Sequence, residues 1–188
     1  MAKIRSFLAI EIDSLIIKKI EEILESLCPS PGDVKWVKPE NIHLTLKFFG
    51  NIEEADVERI GSQIETVVSK EKPFFLRVRG MGAFPNSHSP KVIWWGIKED
   101  GKKLESIHRK VEEKLEKIGF KSEKRPFSPH LTTGRVRSSR GRKELSEAIK
   151  TFSEKDLGSF EVNSLVLFKS GLTPRGAIYS KLKTISFS

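Results

Sequence analysis

His130-Leu131-Thr132-Thr133-Gly134-Arg135 (HLTTGR) follows a Ser-Pro pair, and the reading of the whole chain turns on it. In a β-strand, alternate side chains share a face, so His130 and Thr132 point together with Leu131 behind them. One imidazole beside one hydroxyl is a weak signal. The triplet recurs, however, in His43-Leu44-Thr45-Leu46-Lys47-Phe48 (HLTLKF), in a chain of 188 residues with only four histidines. There His43 and Thr45 share one face while Leu44, Leu46 and Phe48 take the other. Each strand therefore presents an imidazole and a hydroxyl side by side, anchored by leucine.

Outward from these two strands, the hydrophobic spacing gives an α+β chain. Lys3 to Ile12 reads as a strand, after which Asp13 and Ser14 offer N-caps to a helix with Ile16, Ile20, Ile23 and Leu27 on its buried stripe, ended by Pro29, Pro31 and Gly32. Val34–Val37 and Ile42–Phe49 read as strands, the second closed by Gly50-Asn51. A helix from about Glu53 buries Val57, Ile60, Ile64 and Val67. Phe74–Phe84 and Lys91–Ile97 form a hairpin around PNSHSP, and a helix from Asp100 carries Leu104, Ile107, Val111, Leu115 and Ile118 up to Gly119. After the strand His130–Val136 come a basic loop, a short helix with Leu145, Ala148, Ile149 and Phe152, and two strands near Phe160–Phe168 and Ala177–Ile185. The expected architecture is one domain, residues 1–188, in which a duplicated unit forms two pseudo-symmetric lobes. Two mainly antiparallel sheets would line a central groove, with helices outside.

Composition narrows the function classes. No apolar run is long enough to cross a bilayer, and the apolar start is interrupted by Glu11 and Asp13, so a cytoplasmic protein is expected. The single Cys28 excludes an internal disulfide and Cys-rich zinc motifs, and it reads as a structural thiol. Abundant Lys and Glu with a single Gln hint at a thermophile. The formal charge of +9 is concentrated: Lys121–Lys143 holds eight Lys/Arg and one acid, Glu123. Such a local excess suits a polyanion such as RNA, because clustered cations release its counterions.

If the two strands face each other across a groove, two imidazoles and two hydroxyls converge. Cleavage of a phosphodiester without a metal needs one imidazole to take a proton and another to give one, while hydroxyls bind the phosphate oxygens. Zinc would need three or four protein ligands, and no Cys, His or carboxylate stands at ligand spacing beside either motif. No phosphate-binding G-x-x-x-x-G-K-[ST] loop is present, so no nucleotide cofactor is expected.

HLTLKF and HLTTGR, preceded by WVKPEN and RPFSP, resemble the paired His-x-Thr signature of the 2H phosphoesterases. The likeness is to the LigT-like RNA 2′,3′-cyclic phosphodiesterases, also called 2′-5′ RNA ligases, and extends to FLAIEI and GAFPNSHSPKVIWWGI. The resemblance implies a bilobal fold, His43 as general acid, His130 as general base, and Thr45 and Thr132 as phosphate ligands. It implies RNA with 2′,3′-cyclic phosphate ends as substrate, tRNA fragments among the candidates, and hydrolysis to a 2′-phosphate, with 2′-5′ ligation as a second outcome of the same groups; a monomer is expected. It also matches Arg135 to a phosphate-binding arginine, although strict alternation turns Arg135 away from His130 unless a bulge at Gly134 intervenes.

Around that pair, Phe48 is a base-stacking candidate whose parity favours the core. Lys47 shares the face of His43 and either steers phosphate or is solvated. Arg137 and Arg140 belong to the basic run. His88 and His108 read as surface residues, and Trp36, Trp94 and Trp95 as core or rim packing. The rival reading is a non-catalytic RNA-binding module using residues 121–143 alone. The paired histidines discriminate against it, since binding does not need two matched titratable groups.

Overall fold

The computed structural model describes residues 3–27, 33–99, 101–174 and 176–188. Cys28, the Pro29–Gly32 helix stop and Asp100 lie outside them. Among the described residues, nine strands and four α-helices follow in the order β1 (Lys3–Glu11), α1 (Ser14–Leu27), β2 (Val34–Trp36), β3 (His43–Glu53), α2 (Asp56–Val68), β4 (Phe74–Phe84), β5 (Val92–Lys98), α3 (Lys103–Glu116), β6 (His130–Val136), α4 (Arg142–Thr151), β7 (Asp156–Val162), β8 (Ser164–Thr173) and β9 (Gly176–Ser186).

The helices begin and end where local chemistry dictates. Asp13 Oδ1 accepts the Leu15 N–H (2.8 Å) to cap α1, and the Glu99 carboxylate accepts the Leu104 N–H (2.9 Å) at the head of α3. Gly119, at φ +97°, lets Phe120 N–H reach back to the Leu115 carbonyl (3.0 Å) and stops α3. Each amphipathic helix buries its stripe in one large core, with Ile16 and Ile20 of α1, Ile60 and Ile64 of α2, Ile107 and Leu115 of α3, and Ile149 of α4. At about 25 cal/mol per Å² of apolar surface removed from water, that shared core is the main term holding helices to sheet.

The strands form one sheet in the order β7-β4-β5-β6-β3-β1-β8-β9, with β2 also paired to β6, and every pairing is antiparallel. This corrects the expectation of two separate sheets: β7, β4, β5 and β6, with β2, on one side and β3, β1, β8 and β9 on the other are joined through one residue pair, Leu44 of β3 with Leu131 of β6. A three-residue 3₁₀ turn, Pro39–Asn41, separates β2 from β3, so both run along the same edge of β6.

Two strand boundaries also differ from the sequence reading. β3 continues through Gly50-Asn51 to Glu53, because Gly50 (φ +71°) bends the strand while β1 keeps pairing with it. The apolar run Phe160–Phe168 is two strands broken at Asn163, and they lie on opposite halves of the sheet: β7 pairs with β4, β8 with β1.

Candidate active site

The two motif strands meet at the centre of the sheet. Leu44 and Leu131 are fully buried on the helix-covered face, so His43, Thr45, His130 and Thr132, all half-buried, occupy the opposite face. Continuing the antiparallel register one residue each way from Leu44–Leu131 sets His43 beside Thr132 and Thr45 beside His130. In a regular pair such neighbours stand about 5 Å apart at Cβ, and the two imidazoles, on the diagonal, about 7–8 Å.

Both strands then carry a one-residue bulge at the same point. β1 pairs Ala9 with Thr45 but Leu8 with Lys47, which leaves Leu46 as an extra residue in β3. β5 pairs Trp94 with Thr132 but Ile93 with Gly134, which leaves Thr133 extra in β6. A bulge shifts the alternation by one. Residues five after each histidine, Phe48 and Arg135, thereby come round to the histidine face, and both are exposed. Phe48 is 66% exposed and its ring lies 6.1 Å from that of Phe7, which corrects its assignment to the core.

Residues four after each histidine turn the other way. Lys47 is therefore not a phosphate ligand: only 6% exposed, its ammonium donates to both Glu112 carboxylate oxygens (2.9 and 2.8 Å) and to the Lys121 carbonyl (2.8 Å). Its counterpart Gly134 fits beneath Trp36, whose ring atoms a Cβ would approach to 2.9 Å.

Each imidazole is held by the same device. His43 Nδ1–H donates to the Asn41 carbonyl (2.8 Å) and His130 Nδ1–H to the Ser128 carbonyl (2.6 Å), each two residues upstream. A carbonyl can only accept, so Nδ1 carries the proton and Nε2 is left as the working nitrogen. The surroundings differ. His43 stacks on Phe7 (4.7 Å between centroids) and meets the edge of Tyr179 (5.3 Å), and this burial lowers its pKa, opposed by the bond to Asn41. His130 meets Phe84 edge-on at 5.0 Å, with Trp94 at 6.3 Å.

Sequence reasoning missed Tyr179 and Phe7. Phe7 and Ala9 of β1 and Val166 and Phe168 of β8 form a small apolar cluster, with Tyr179 of β9 packed on it, distinct from the main core. The only signal was that Tyr179 is the sole tyrosine of the chain. Burial raises the pKa of its hydroxyl, opposed by the charges of Arg135 and Arg5, so it remains a neutral donor at neutral pH. Arg135 thus sits close enough to influence a side chain from the far half of the sheet.

Arg135, Arg137 and Arg140 are exposed, and none forms an ion pair among the described residues. Trp95 is fully buried and Trp94 and Trp36 partly so, as packing residues. His88 is exposed. His108 is not a surface residue: its ring stacks on Phe127 at 3.9 Å, its side chain is 14% exposed, and burial is the main cause of its lowered pKa. Among the described residues no three His, Cys, Asp or Glu side chains gather as a metal-binding group.

The family model described as the 2'-5' RNA ligase superfamily matches residues 15–173. The chain belongs to this superfamily. Curated relatives are named RNA 2′,3′-cyclic phosphodiesterase. That of Archaeoglobus fulgidus is 40% identical over 179 residues, covering 95% of this chain and 98% of the relative. That of Methanothermobacter thermautotrophicus is 36% identical over 181 residues, covering 96% and 97%. Solved structures share the fold. A Thermus thermophilus protein superposes with a TM-score of 0.78 at 24% identity over 97% of both chains. E. coli LigT complexed with 3′-AMP gives 0.74 at 21% identity over 100% of this chain and 99% of its own.

Proposed function

We propose that this chain is a metal-independent RNA 2′,3′-cyclic phosphodiesterase that leaves a 2′-phosphate. The observation that carries this reading is the matched pair of imidazoles: each has Nδ1–H tied to a carbonyl two residues upstream, and each is adjacent in register to the threonine of the other strand. A cyclic phosphate seated between them meets Nε2 of both. Water attacks phosphorus as His130 Nε2 takes its proton, the P–O3′ bond breaks, and His43 Nε2–H protonates O3′. The Thr45 and Thr132 hydroxyls donate to the non-bridging oxygens, and Arg135 offsets the charge that builds on them.

The lowered pKa of His43 bears on the acid's role. Buried against Phe7, the free imidazole favours its neutral form. A phosphate anion alongside favours the cation. The bound anion thus opposes burial and favours the charged form that the acid's role requires. If the 5′-hydroxyl of a second RNA replaces water, the same groups make a 2′-5′ linkage and release O3′, with no nucleotide cofactor.

The substrate reading rests on the free cations near His130, with RNA ends such as those of tRNA fragments as the class. In this reading the chain is one domain of two pseudo-symmetric lobes, 1–188, working as a cytoplasmic monomer. No described helix is long and apolar enough to cross a membrane.

The test is incubation with a short RNA ending in a 2′,3′-cyclic phosphate, in chelator, with the parent chain and His130→Ala. The expected product of the parent is a 2′-phosphate end, and the variant should be slowed by a factor on the order of a hundred or more. A predominant 3′-phosphate would reverse the roles of the histidines. Activity lost in chelator and restored by one divalent ion would replace the mechanism.

A further inference from the structure

We propose that Lys47 and Glu112 are positioning residues that lock the second histidine motif to the first. This inference rests on the assignment of His43 and His130 as the acid–base pair. The bulge at Leu46 turns Lys47, two residues after Thr45, away from the groove. Its ammonium binds both oxygens of Glu112 on α3, at 2.9 and 2.8 Å, and the Lys121 carbonyl at 2.8 Å. Glu112 in turn accepts the N–H of Glu123 (3.2 Å) and stands 4.0 Å from His108 Nε2. One turn before Glu112, His108 lies flat on Phe127. Phe127 adjoins Ser128, whose carbonyl fixes His130 Nδ1.

The contacts thus run without a break from the first motif, through α3, along the strand-free segment 121–129, to the second imidazole. Segment 121–129 forms neither helix nor strand, and the sheet holds it at its end, where the Ile97 N–H of β5 donates to the Pro129 carbonyl (3.4 Å). Before that bond, the Lys121 carbonyl, the Glu123 N–H and the Phe127 ring are each anchored on Lys47, Glu112 or His108. The central seam has a single strand pair, Leu44–Leu131, and β5 holds His130 through Gly96, so the buried cluster is what ties the stretch leading to His130 to the first motif. An ion pair this enclosed is a costly way to gain stability, since two hydrophobic residues of similar volume often serve as well. Its worth lies in direction: an ammonium with three donors and a carboxylate with two acceptors fix loop and helix at once.

The test uses the full chain with Lys47→Met, Glu112→Gln, the paired apolar change Lys47→Met with Glu112→Leu, and Lys47→Arg, all assayed on cyclic-phosphate RNA. Lys110→Met, which breaks a half-exposed pair between α3 and Glu71 in the loop after α2, is the control. A misplacement near 1 Å costs up to about a hundredfold in rate. The expected result is a kcat lowered about ten- to a hundredfold in Glu112→Gln and in the apolar pair, KM changed by less than about twofold, partial recovery in Lys47→Arg, and parent activity in Lys110→Met. Folded variants with parent kcat would overturn the proposal, as would a loss confined to KM. Near-isosteric Glu112→Gln carries the test if Lys47→Met does not fold. His130→Ala separates the two readings: if it stays active the acid–base assignment fails, whereas an inactive His130→Ala beside a fully active apolar pair removes only the brace.

Discussion

β3 and β6 carry the same device with different chemistry. Each presents His-x-Thr on the face opposite the helices, inserts one residue, buries position four after the histidine and exposes position five. In β3 the buried position holds Lys47 in an ion pair and the exposed one holds Phe48; in β6 they are Gly134 beneath Trp36 and Arg135. The first half of this face is accordingly aromatic, with Phe7, Phe48, Phe168 and Tyr179 around His43. The second also has aromatic neighbours, Phe84 and Trp94, but carries in addition the exposed cations Arg135, Arg137 and Arg140 beyond His130. Backbone geometry repeats, and under the proposed function the side chains that differ would set the direction of the substrate: flat apolar surface suits ribose and base, and free guanidinium suits the phosphate chain.

The buried positions give the largest expected contrast. Lys47→Met leaves the Glu112 carboxylate enclosed without its cation, which costs about 3–5 kcal/mol. At the matching place Gly134→Ala drives a methyl toward Trp36 and Val34 and costs about 1–3 kcal/mol. Urea unfolding monitored by circular dichroism measures both. Equal losses would show that the two bulges are equivalent packing sites and nothing more.

At the exposed positions the contrast is one of kind. Arg135→Ala should lower turnover by about 1.5–3 kcal/mol, the worth of a hydrogen bond to a charged group, and reduce the salt dependence of RNA affinity by about one unit of log–log slope. Phe48→Ala should weaken binding by about 1–3 kcal/mol of stacking with the salt slope unchanged. Affinity titrations at several salt concentrations, paired with single-turnover rates, separate the two. A salt slope lowered by Phe48→Ala, or unaffected by Arg135→Ala, would contradict the division of the groove.

The smallest effect concerns pH. Burial lowers the folded-state pKa of His43 and of His108 below the ordinary histidine value of about 6.5. Between that value and the lower folded one, the unfolded chain binds more protons, so stability is present above pH 6.5 and is lost as pH falls through this window. His108→Gln should flatten the loss seen by thermal unfolding between about pH 7 and 5. An unchanged slope would mean that His108 gains a compensating charge partner as it protonates.

The paired motifs, the helix stripes and the α+β class were legible because leucine and isoleucine spacing reports burial directly. The site was legible only up to the threonine two residues after each histidine. Beyond Thr45 and Thr132, counting by twos sent Lys47 to the groove and Phe48 and Arg135 away from it. The bulges are set by how β1 and β5 pair with the motif strands, which no residue of HLTLKF announces. In HLTTGR the glycine was the one hint. Phe160–Phe168 was unreadable for a related reason: its continuous apolar run satisfies two separate strands as well as one, and Asn163 alone marks the break. Tyr179 reaches His43 from the last strand of the sheet, far along the chain, a separation that periodicity cannot bridge.

The central claim is that the two motifs form one catalytic unit around one phosphate. A double-substitution cycle tests it most directly: kcat on cyclic-phosphate RNA for His43→Ala, His130→Ala and the two together. Each single change should cost about a hundred- to ten-thousandfold, and the double little more than the larger single, because groups acting in one step fail together. A double variant slowed by the full product of the two single effects would show two independent contributions and contradict the unit.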